Sequence, residues 1–293
     1  MRPEVESRTA MPTLSQLLLY PIKSCAGMAV QDATLLESGL AAHGVHDREW
    51  MLVTESGQFL TQREYPRMAL IRPRPDGGNL RVSGPTMGDL LLPLAWHEEA
   101  PTRHVQIWDD SVSAADCGDV AAGWFTEALD TRERVRLVRF RHDVVRPTSV
   151  KWTGGMPSQT RFADGYPLLL IGQSSLDDLN LRLRAAGRET LAMDRFRPNL
   201  VVAGLEAFEE DYTAFLSTGA AEIRPVKPCA RCPIPAIDQA TGVPGPDPLD
   251  ILQTYRANPR LDGAVCLGMN CIVSAGAGAR LRVGQEVAAE LAF

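Results

Sequence analysis

Two cysteines in the last third of the chain have a type and spacing that could bind a metal. Cys229 and Cys232 enclose Ala230 and Arg231 within the segment Lys227–Pro233, whose prolines predict irregular backbone. A neighbouring guanidinium stabilises the thiolate form of a cysteine. Thiolates are soft ligands, which thiophilic metals prefer. The segment therefore predicts a thiolate ligand for a metal.

Three other uses of these cysteines stay open on spacing alone. A four-cysteine zinc site would need Cys266 and Cys271, which are spaced C-x4-C, as its second pair. A dithiol redox pair would need a βαβ setting, which the sequence does not predict here. The two thiols could also be inert buried side chains.

A lysine and a serine follow the first predicted strand and could bind a phosphate. The strand ends at Pro21, and Lys23, Ser24 and the N–H groups of Ser24 and Cys25 are expected to face the loop that follows. The loop is not a P-loop, because G-x-x-x-x-G-K is absent. The alternative is a solvated lysine in a turn.

Hydrolase functions have little support, because neither H-E-x-x-H nor G-x-S-x-G occurs.

Two further segments place polar side chains beside predicted strands. Arg48, within Asp47–Trp50, could be a second phosphate partner or could form a surface ion pair. Arg197 and Asn199 precede an apolar strand. Arg197 could bind a phosphate and Asn199 could bind the edge of a heterocycle, although salt bridges at the start of a strand explain them equally well.

The composition is that of an ordinary globular protein of 293 residues, with 45% hydrophobic and 23% charged residues. A net charge of −6 does not favour binding to nucleic acid or to an anionic membrane. No apolar stretch is long enough to span a bilayer, and residues 1–12 lack the apolar region of a secretory signal. A cytoplasmic location is therefore expected, where the six cysteines would not form a disulfide framework.

Short apolar runs separated by Gly, Pro or Asp predict strands through most of the chain. In the first part these strands are Leu14–Tyr20, Met28–Leu36, Trp50–Thr54, Ala69–Pro73, Asn79–Ser83, Asp89–Leu92, His104–Ile107 and Val112–Ala115. In the second part they follow the apolar run Pro167–Ile171 and are Leu200–Ala203, Ala221–Val226, Ala264–Ile272 and Arg280–Val287. Two helices are predicted: Val120–Leu129 with Val120, Trp124, Phe125 and Leu129 as its apolar positions, and a helix capped by Ser174 that runs to about Ala186.

A composition shift in the Pro- and Gly-containing stretch Arg146–Pro157 predicts a domain boundary. Residues 1–12 would form a disordered tail, residues 13–145 a β-rich N-terminal domain and residues 146–293 a second domain. Many short strands with few helices predict a mainly β fold with α insertions, an α+β chain with β-barrel-like domains.

Four segments, taken in order, resemble the MOSC-domain proteins, and among them the mitochondrial amidoxime-reducing component and its bacterial relatives. They are Leu19–Cys25, Asp47–Trp50, Phe196–Leu200 and Cys229–Cys232. The resemblance runs from about Leu14 to the C-terminus and is supported by Asp116–Gly118, Ile237-Asp238, Thr241-Gly242 and Leu267–Asn270. It implies an N-terminal β-rich MOSC domain followed by the MOSC domain itself.

The resemblance also implies a bound molybdenum cofactor (molybdopterin) and a role for each matching residue. Cys232 would be the catalytic metal ligand. The cofactor's terminal phosphate would be held by Lys23, Ser24 and Arg48, and the rest of the cofactor would be lined by Arg197, Asn199 and Arg231. Ala230 departs from an expected serine, and Gly165-Tyr166 departs from an expected Thr-Ser pair.

The activity implied by the resemblance is the reduction of small N-hydroxylated molecules. The chain shows neither a dinucleotide-binding fingerprint nor the cysteine spacing of an iron–sulfur domain before its last residue, Phe293. A separate electron-donor protein is therefore expected, namely a ferredoxin, a flavodoxin or a reductase. The alternative is a non-catalytic carrier of the cofactor or of sulfur.

Overall fold

The computed structural model describes residues 11–292, and strands dominate it. The strands are β1 Thr13–Leu19, β2 Met28–Val30, β3 Asp32–Leu36, β4 Gly39–Ala42, β5 Val45–His46, β6 Trp50–Thr54, β7 Arg72–Asp76, β8 Asn79–Ser83, β9 Leu90–Pro93, β10 Thr102–Ile107, β11 Asp110–Asp116, β12 Val135–Phe140, β13 Arg146–Pro147, β14 Gln159–Thr160, β15 Leu168–Gly172, β16 Leu200–Ala203, β17 Thr213–Ser217, β18 Glu222–Ala230, β19 Ala257–Asn258, β20 Ala264–Ala275, β21 Arg280–Arg282 and β22 Ala288–Leu291.

Helices are few and short by comparison. The α-helices are α1 Gly118–Leu129, α2 Val150–Thr153, α3 Gln173–Ala185 and α4 Leu249–Gln253. Short 3-10 helices occupy Pro66–Leu70, Met193–Phe196, Glu209–Tyr212, Ile234–Ala236 and Pro259–Leu261. The predicted mainly β fold with α insertions is confirmed.

The largest sheet joins strands from both ends of the described chain. Its order is β2-β1-β16-β15-β20-β18-β17-β22, with β19 paired to β20. β1 is antiparallel to β16, β16 is parallel to β15, and β20 lies between β15 and β18. The ends of β1, β16 and β18 therefore lie in one sheet, although nearly the whole sequence separates them.

Smaller sheets cover the rest of the molecule, and one of them also joins distant segments. β10-β11-β12-β6 and β7-β8-β9 contain only strands that precede residue 146. β21 pairs with β3 in the sheet β21-β3-β4-β5. One hydrophobic core likewise contains Leu17 and Leu35 from the first part with Leu170 and Ile223 from the second. The predicted domain boundary stays a prediction, and the predicted tail falls outside the described residues except for Met11 and Pro12.

The structure corrects several predicted elements. The predicted strand Ala69–Pro73 is wrong in its first half, because Pro66–Leu70 forms a 3-10 helix with a proline in its first turn. The predicted strand Arg280–Val287 ends at Arg282, shortly before Gly284 takes a φ of +83°. Val120, expected on the buried face of α1, is 79% exposed.

Two corrections bear on the site or on its neighbourhood. The prolines of Lys227–Pro233 do not keep the whole segment irregular, because β18 runs through Cys229 to Ala230. Ser174 does not cap α3; its hydroxyl donates to the Leu205 carbonyl at 2.6 Å, and the capping position is Gly172.

Candidate functional site

A cavity of about 440 Å³ lies where the connections after β1, β5 and β18 meet the start of β16. All seven predicted site residues line it: Lys23, Ser24, Arg48, Arg197, Asn199, Arg231 and Cys232. Cys229 lines it as well. The fold thus brings together residues that the sequence keeps far apart, while their roles remain predictions.

The lining of this cavity is strongly cationic in a protein of net charge −6. The cations are Lys23, Arg48, Arg63, Arg197, Lys227 and Arg231. Asp164 is the one carboxylate in the described lining. Cations gathered against low-dielectric walls attract anions, so the cavity is suited to a ligand that carries negative charge.

Backbone hydrogen bonds join the loop that carries Lys23 to the loop that carries Arg48. The Lys23 N–H donates to the Trp50 carbonyl at 2.7 Å, and the Arg48 N–H donates to the Tyr20 carbonyl at 2.8 Å. The Cys25 N–H, which was expected to face a ligand, instead donates to the Ile22 carbonyl at 3.1 Å. That N–H is used to close the turn, so the expectation for it is wrong.

Lys23 is almost fully buried and is held by oxygen atoms. Its Nζ donates to the Phe162 carbonyl at 3.0 Å and to the Asp164 carboxylate. Burial lowers the pKa of Lys23, and Asp164 opposes that shift. The Asp164 side chain is 74% exposed, and the Lys23 ammonium, the Trp108 N–H and Arg48 together hold the pKa of its carboxyl well below the usual range. Asp164 is therefore ionised at neutral pH, and its carboxylate accepts from the Lys23 ammonium.

Arg48 and Asn199 form a network that positions one side of the cavity. Arg48 Nη1 donates to Asp47 Oδ2 at 2.5 Å and to Asn199 Oδ1 at 3.2 Å. Asn199 Nδ2 donates to the Leu18 carbonyl at 3.2 Å, and its Oδ1 also accepts from the Leu169 N–H at 3.1 Å. The Asn199 amide thus ties together β1, β15 and Arg48.

Tyr20 lies against both Arg48 and Arg197. The ring centroid is 4.3 Å from the guanidinium carbon of each arginine, which is a cation–π distance. Burial raises the pKa of Tyr20 to about 12, although both arginines pull it the other way, so the phenol stays neutral. Gly27 leaves room for this ring, because a Cβ there would lie 2.4 Å from Tyr20 Cε1.

Arg197 keeps unpaired hydrogen-bond donors inside the cavity. It is 9% exposed, and within residues 11–292 its Nη1 and Nη2 have no hydrogen-bond partner. The buried Arg231 Nε has none there either. Buried polar groups are nearly always paired in folded proteins, so these nitrogens are available to an anionic ligand.

Four residues of the lining hold the left-handed backbone conformation that favours glycine. They are Ser24 at φ +64°, Arg48 at +47°, Trp108 at +53° and Arg197 at +57°. Such conformations cost free energy for residues other than glycine and cluster at functional sites. Strain of this kind supports the assignment of the cavity as the site.

The arginine between the two cysteines contacts the first of them. Arg231 Nη1 donates to Cys229 Sγ at 3.2 Å, and its Nη2 donates to the Phe196 carbonyl at 2.8 Å. Cys232 is half-buried in the same lining. Arg231 thus already holds the Cys229 thiol, and this arrangement is compatible with Cys232 as the metal ligand.

The four-cysteine zinc alternative is not supported. Burial raises the pKa of Cys266 to about 11 and raises that of Cys271 further. Their thiols donate to the carbonyls of Ala264 and Met269. In the part of the chain that the structure describes, no three His, Cys, Asp or Glu side chains come together to hold a metal ion.

Sequence reasoning missed several residues at the site, among them Asp164, Trp108 and Tyr20. Asp164 and Trp108 lie in irregular segments without periodicity or motif, and Trp108 Nε1 donates to Asp164 Oδ1 at 3.2 Å. Tyr20 lies in the same segment as Lys23, and its position directly after an apolar strand could have identified it as a buried ring beside the loop.

Comparisons with known proteins agree with the resemblance. The MOSC N-terminal beta barrel domain matches residues 11–132 and the MOSC domain matches residues 157–288. Mitochondrial amidoxime reducing component 2 of Homo sapiens is 36% identical over 247 residues, which cover 83% of this chain and 72% of that protein. Mitochondrial amidoxime-reducing component 1 of Xenopus laevis is 32% identical over 257 residues, 86% of this chain and 74% of that protein. The predicted family resemblance is confirmed.

Among solved structures, YiiM from Geobacillus stearothermophilus aligns with a TM-score of 0.29 at 16% identity, over 50% of this chain and 71% of that chain. A score this low does not establish a shared fold.

The names of the relatives contradict one expectation. Both relatives are named as mitochondrial proteins, so the predicted cytoplasmic location is wrong. The net charge and the absence of a long apolar stretch, on which the expectation rested, do not specify a cellular compartment. Among the described residues, no helix is long and apolar enough to cross a membrane.

Proposed function

Because the chain belongs to the MOSC-domain family that includes the amidoxime-reducing components, we propose that it is a reductase that binds a molybdenum cofactor in the cationic cavity. One observation carries this proposal: within residues 11–292, six cationic side chains line the cavity that contains Cys232, and the buried guanidinium nitrogens Nη1 and Nη2 of Arg197 have no partner there. A cofactor with a phosphate at one end and a thiophilic metal at the other needs both features.

The residues fit such a cofactor in a definite division of roles. Lys23, Ser24 and Arg48 lie on two fastened loops and would bind the terminal phosphate. Arg197 and Arg231 would donate their unpaired N–H groups along the cofactor, and Asn199 would hold Arg48 in place. Cys232 would supply the sulfur ligand.

The proposed substrates are small N-hydroxylated compounds. When bound, the molybdenum centre would supply two-electron redox chemistry. Reduction of an N–OH group breaks the N–O bond, consumes two electrons and two protons, and releases water. The two curated relatives are named for the reduction of amidoximes, and their names also contain the word component. The word component fits a chain that receives its electrons from a separate redox protein.

The proposal is tested by metal analysis and turnover of the purified protein. We expect molybdenum with pterin at about one per chain, and reduction of benzamidoxime to benzamidine with reduced methyl viologen as the electron source. Zinc in place of molybdenum would contradict the proposal. Bound cofactor without turnover would identify a carrier instead of an enzyme.

A further inference from the structure

We propose that an acidic electron-donor protein docks on a basic patch beside the cavity, formed by Lys151, Trp152, Lys227 and Arg260 and called here the Trp152 patch. The inference rests on the proposed function, since it assigns the partner that would deliver electrons to the same site. Two things support it: the arrangement of these four side chains, and the way in which the chain uses lysine.

Three cations surround one tryptophan ring. Lys151 Nζ and Lys227 Nζ are each 5.8 Å from the ring centroid of Trp152, and the guanidinium carbon of Arg260 is 5.0 Å from it. They come from α2, from β18 and from the 3-10 helix Pro259–Leu261. Separate elements thus converge on one ring, where the charges repel one another.

No carboxylate neutralises these charges within residues 11–292. None of the three cations forms a salt bridge there, whereas exposed arginines such as Arg81, Arg134 and Arg280 do. In a protein of net charge −6, an unneutralised cluster concentrates positive potential at one place on the surface. It is therefore a complement for a negatively charged surface.

The use of lysine singles out the same place. The chain contains three lysines, Lys23, Lys151 and Lys227, against 27 arginines. Lys23 lies in the cavity, Lys151 belongs to the Trp152 patch, and Lys227 belongs to both. Arginine suits fixed bidentate ion pairs, whereas the flexible ammonium of lysine makes weaker, less directional contacts. Such contacts suit a partner that binds and leaves in every turnover.

The patch also offers apolar surface next to its charges. Val150 is 67% exposed beside the half-buried Trp152. Aromatic side chains are enriched at the centres of protein interfaces, and cations outside them steer the partner. Electron-transfer complexes are transient and have small interfaces, often below about 1,200 Å².

Lys227 connects the patch to the cavity. It contacts the Trp152 ring and also lines the cavity, and β18 continues from it to Cys229. A protein docked on the patch would therefore lie beside the strand that leads to the proposed metal ligand Cys232.

A redox protein fits this patch better than a nucleic acid does. Nucleic acids bind along grooves of repeated positive charge, and the net charge of −6 opposes a long polyanion. The Trp152 patch is instead a compact cluster of three charges. It matches a small protein that presents carboxylates around its redox group.

Carbodiimide cross-linking tests the proposal directly, because this reagent joins lysine amines to carboxylates. The probes are an oxidised plant-type ferredoxin and a flavodoxin, mixed with the purified protein at low salt. We expect cross-links at Lys151 and Lys227, mapped by mass spectrometry. Cross-links confined to the N-terminal amine, or none with either probe, would overturn the proposal. The Lys151→Arg variant should lose the cross-link at 151 and keep its affinity.

Charge reversal supplies a second readout. The double variant Lys151→Glu/Arg260→Glu should weaken ferredoxin binding by about tenfold or more, since both charges steer the encounter. The matched control Arg132→Glu/Arg184→Glu changes the net charge equally at exposed arginines elsewhere and should bind as the parent does. Equal weakening of ferredoxin binding in both variants would contradict a specific patch. The proposal would also be contradicted if the patch variant weakened only binding to phosphatidylserine vesicles or to an oligonucleotide and left ferredoxin binding unchanged.

The two proposals can fail separately. Turnover of benzamidoxime with reduced methyl viologen should be the same in both double variants, since none of these four residues lines the cavity. If that turnover is found but neither probe cross-links at the patch, the docking proposal fails and the proposed function stands. If cross-links form at the patch in a protein without molybdenum or turnover, the proposed function fails instead.

Discussion

Arg48 and Arg197 lie against the same tyrosine ring but differ in what their guanidinium groups contact. Arg48 is paired with the buried carboxylate of Asp47 and with Asn199. Arg197 is buried, and its terminal nitrogens have no partner within residues 11–292. Arg48 therefore stabilises the folded framework as well as lining the cavity, whereas the terminal nitrogens of Arg197 are left for a ligand at a cost to stability.

This difference predicts opposite effects of the same substitution. Arg48→Met leaves Asp47 buried without its partner and should lower the free energy of unfolding by about 3–5 kcal/mol. Arg197→Met should leave the stability of the cofactor-free protein unchanged or raise it by about 1–2 kcal/mol, because an unpaired buried charge is removed. Urea denaturation of cofactor-free protein measures both. A large loss of stability in Arg197→Met would show that its guanidinium is already satisfied.

The two neighbouring cysteines are expected to respond differently to replacement by serine. Cys232→Ser should lose most of the bound molybdenum and the activity, because a hydroxyl is a poor substitute for a thiolate ligand. Cys229→Ser should keep the metal, since its thiol is held by Arg231. The molybdenum content of each variant, measured by mass spectrometry, tests this difference. Equal loss in both variants would point to a shared metal site.

Lys23 predicts a pH dependence of cofactor retention. Burial lowers its pKa below that of an exposed lysine, so it loses its charge at a lower pH than usual. Retention of a phosphate-bearing cofactor should then fall as the pH rises towards about 10, the ordinary lysine value. Lys23→Arg keeps its charge and should retain the cofactor over the same range. Molybdenum content after gel filtration at each pH is the readout, and identical profiles would count against Lys23 as a phosphate ligand.

At the scale of elements, local periodicity predicted the regular parts well. The strand Asn79–Ser83 has the predicted bounds, and the helix predicted to run to about Ala186 is α3, which ends at Ala185. The full length of β18 was harder to predict from the sequence, because proline removes a hydrogen-bond donor from a strand. The structure accommodates Pro225 and Pro228 at register shifts against β20, a tertiary feature that no local pattern encodes.

The site itself was predictable where it depends on motifs. The seven predicted residues were identified from segments that resemble the family's motifs, and the fold places all seven in the lining of one cavity. Asp164 and Trp108 could not be found, since the contacts that place them join irregular segments far apart in the sequence.

In the connection between β1 and β2, a substitution of Gly27 is expected to affect the cavity by steric contact. A methyl group at Gly27 would meet the Tyr20 ring at 2.4 Å, so Gly27→Ala should cost about 1–3 kcal/mol of stability. It should also lower cofactor retention, because Tyr20 contacts both Arg48 and Arg197.

Gly88→Ala is the matched control, because a methyl group there meets no atom within 4 Å. Thermal unfolding and molybdenum content separate the two variants. Equal melting temperatures would mean that the Tyr20 ring can move without cost.

At the scale of the whole molecule, the two ends of the described chain share one sheet and one core. β1 pairs with β16, β21 pairs with β3, and the core around Leu17 and Leu170 draws on both parts. We therefore expect one cooperative unfolding transition for the full chain. A fragment of residues 146–293, which lacks β1 and β2, should not reach a stable fold. Circular dichroism of the fragment and calorimetry of the full chain test this; a folded fragment with its own sharp transition would contradict it.

The pairing of β1 with β16 has a consequence for how the protein is made. Thr13 lies opposite Ala203 in this pair, so β1 emerges from the ribosome about 190 residues before its partner does. Until then its apolar side chains have no permanent neighbour and are exposed to chaperones. The cavity also needs Cys232, which emerges later still. A cofactor that depends on both ends of the sheet can be inserted only after most of the chain has been synthesised, so its loading is a late step of maturation.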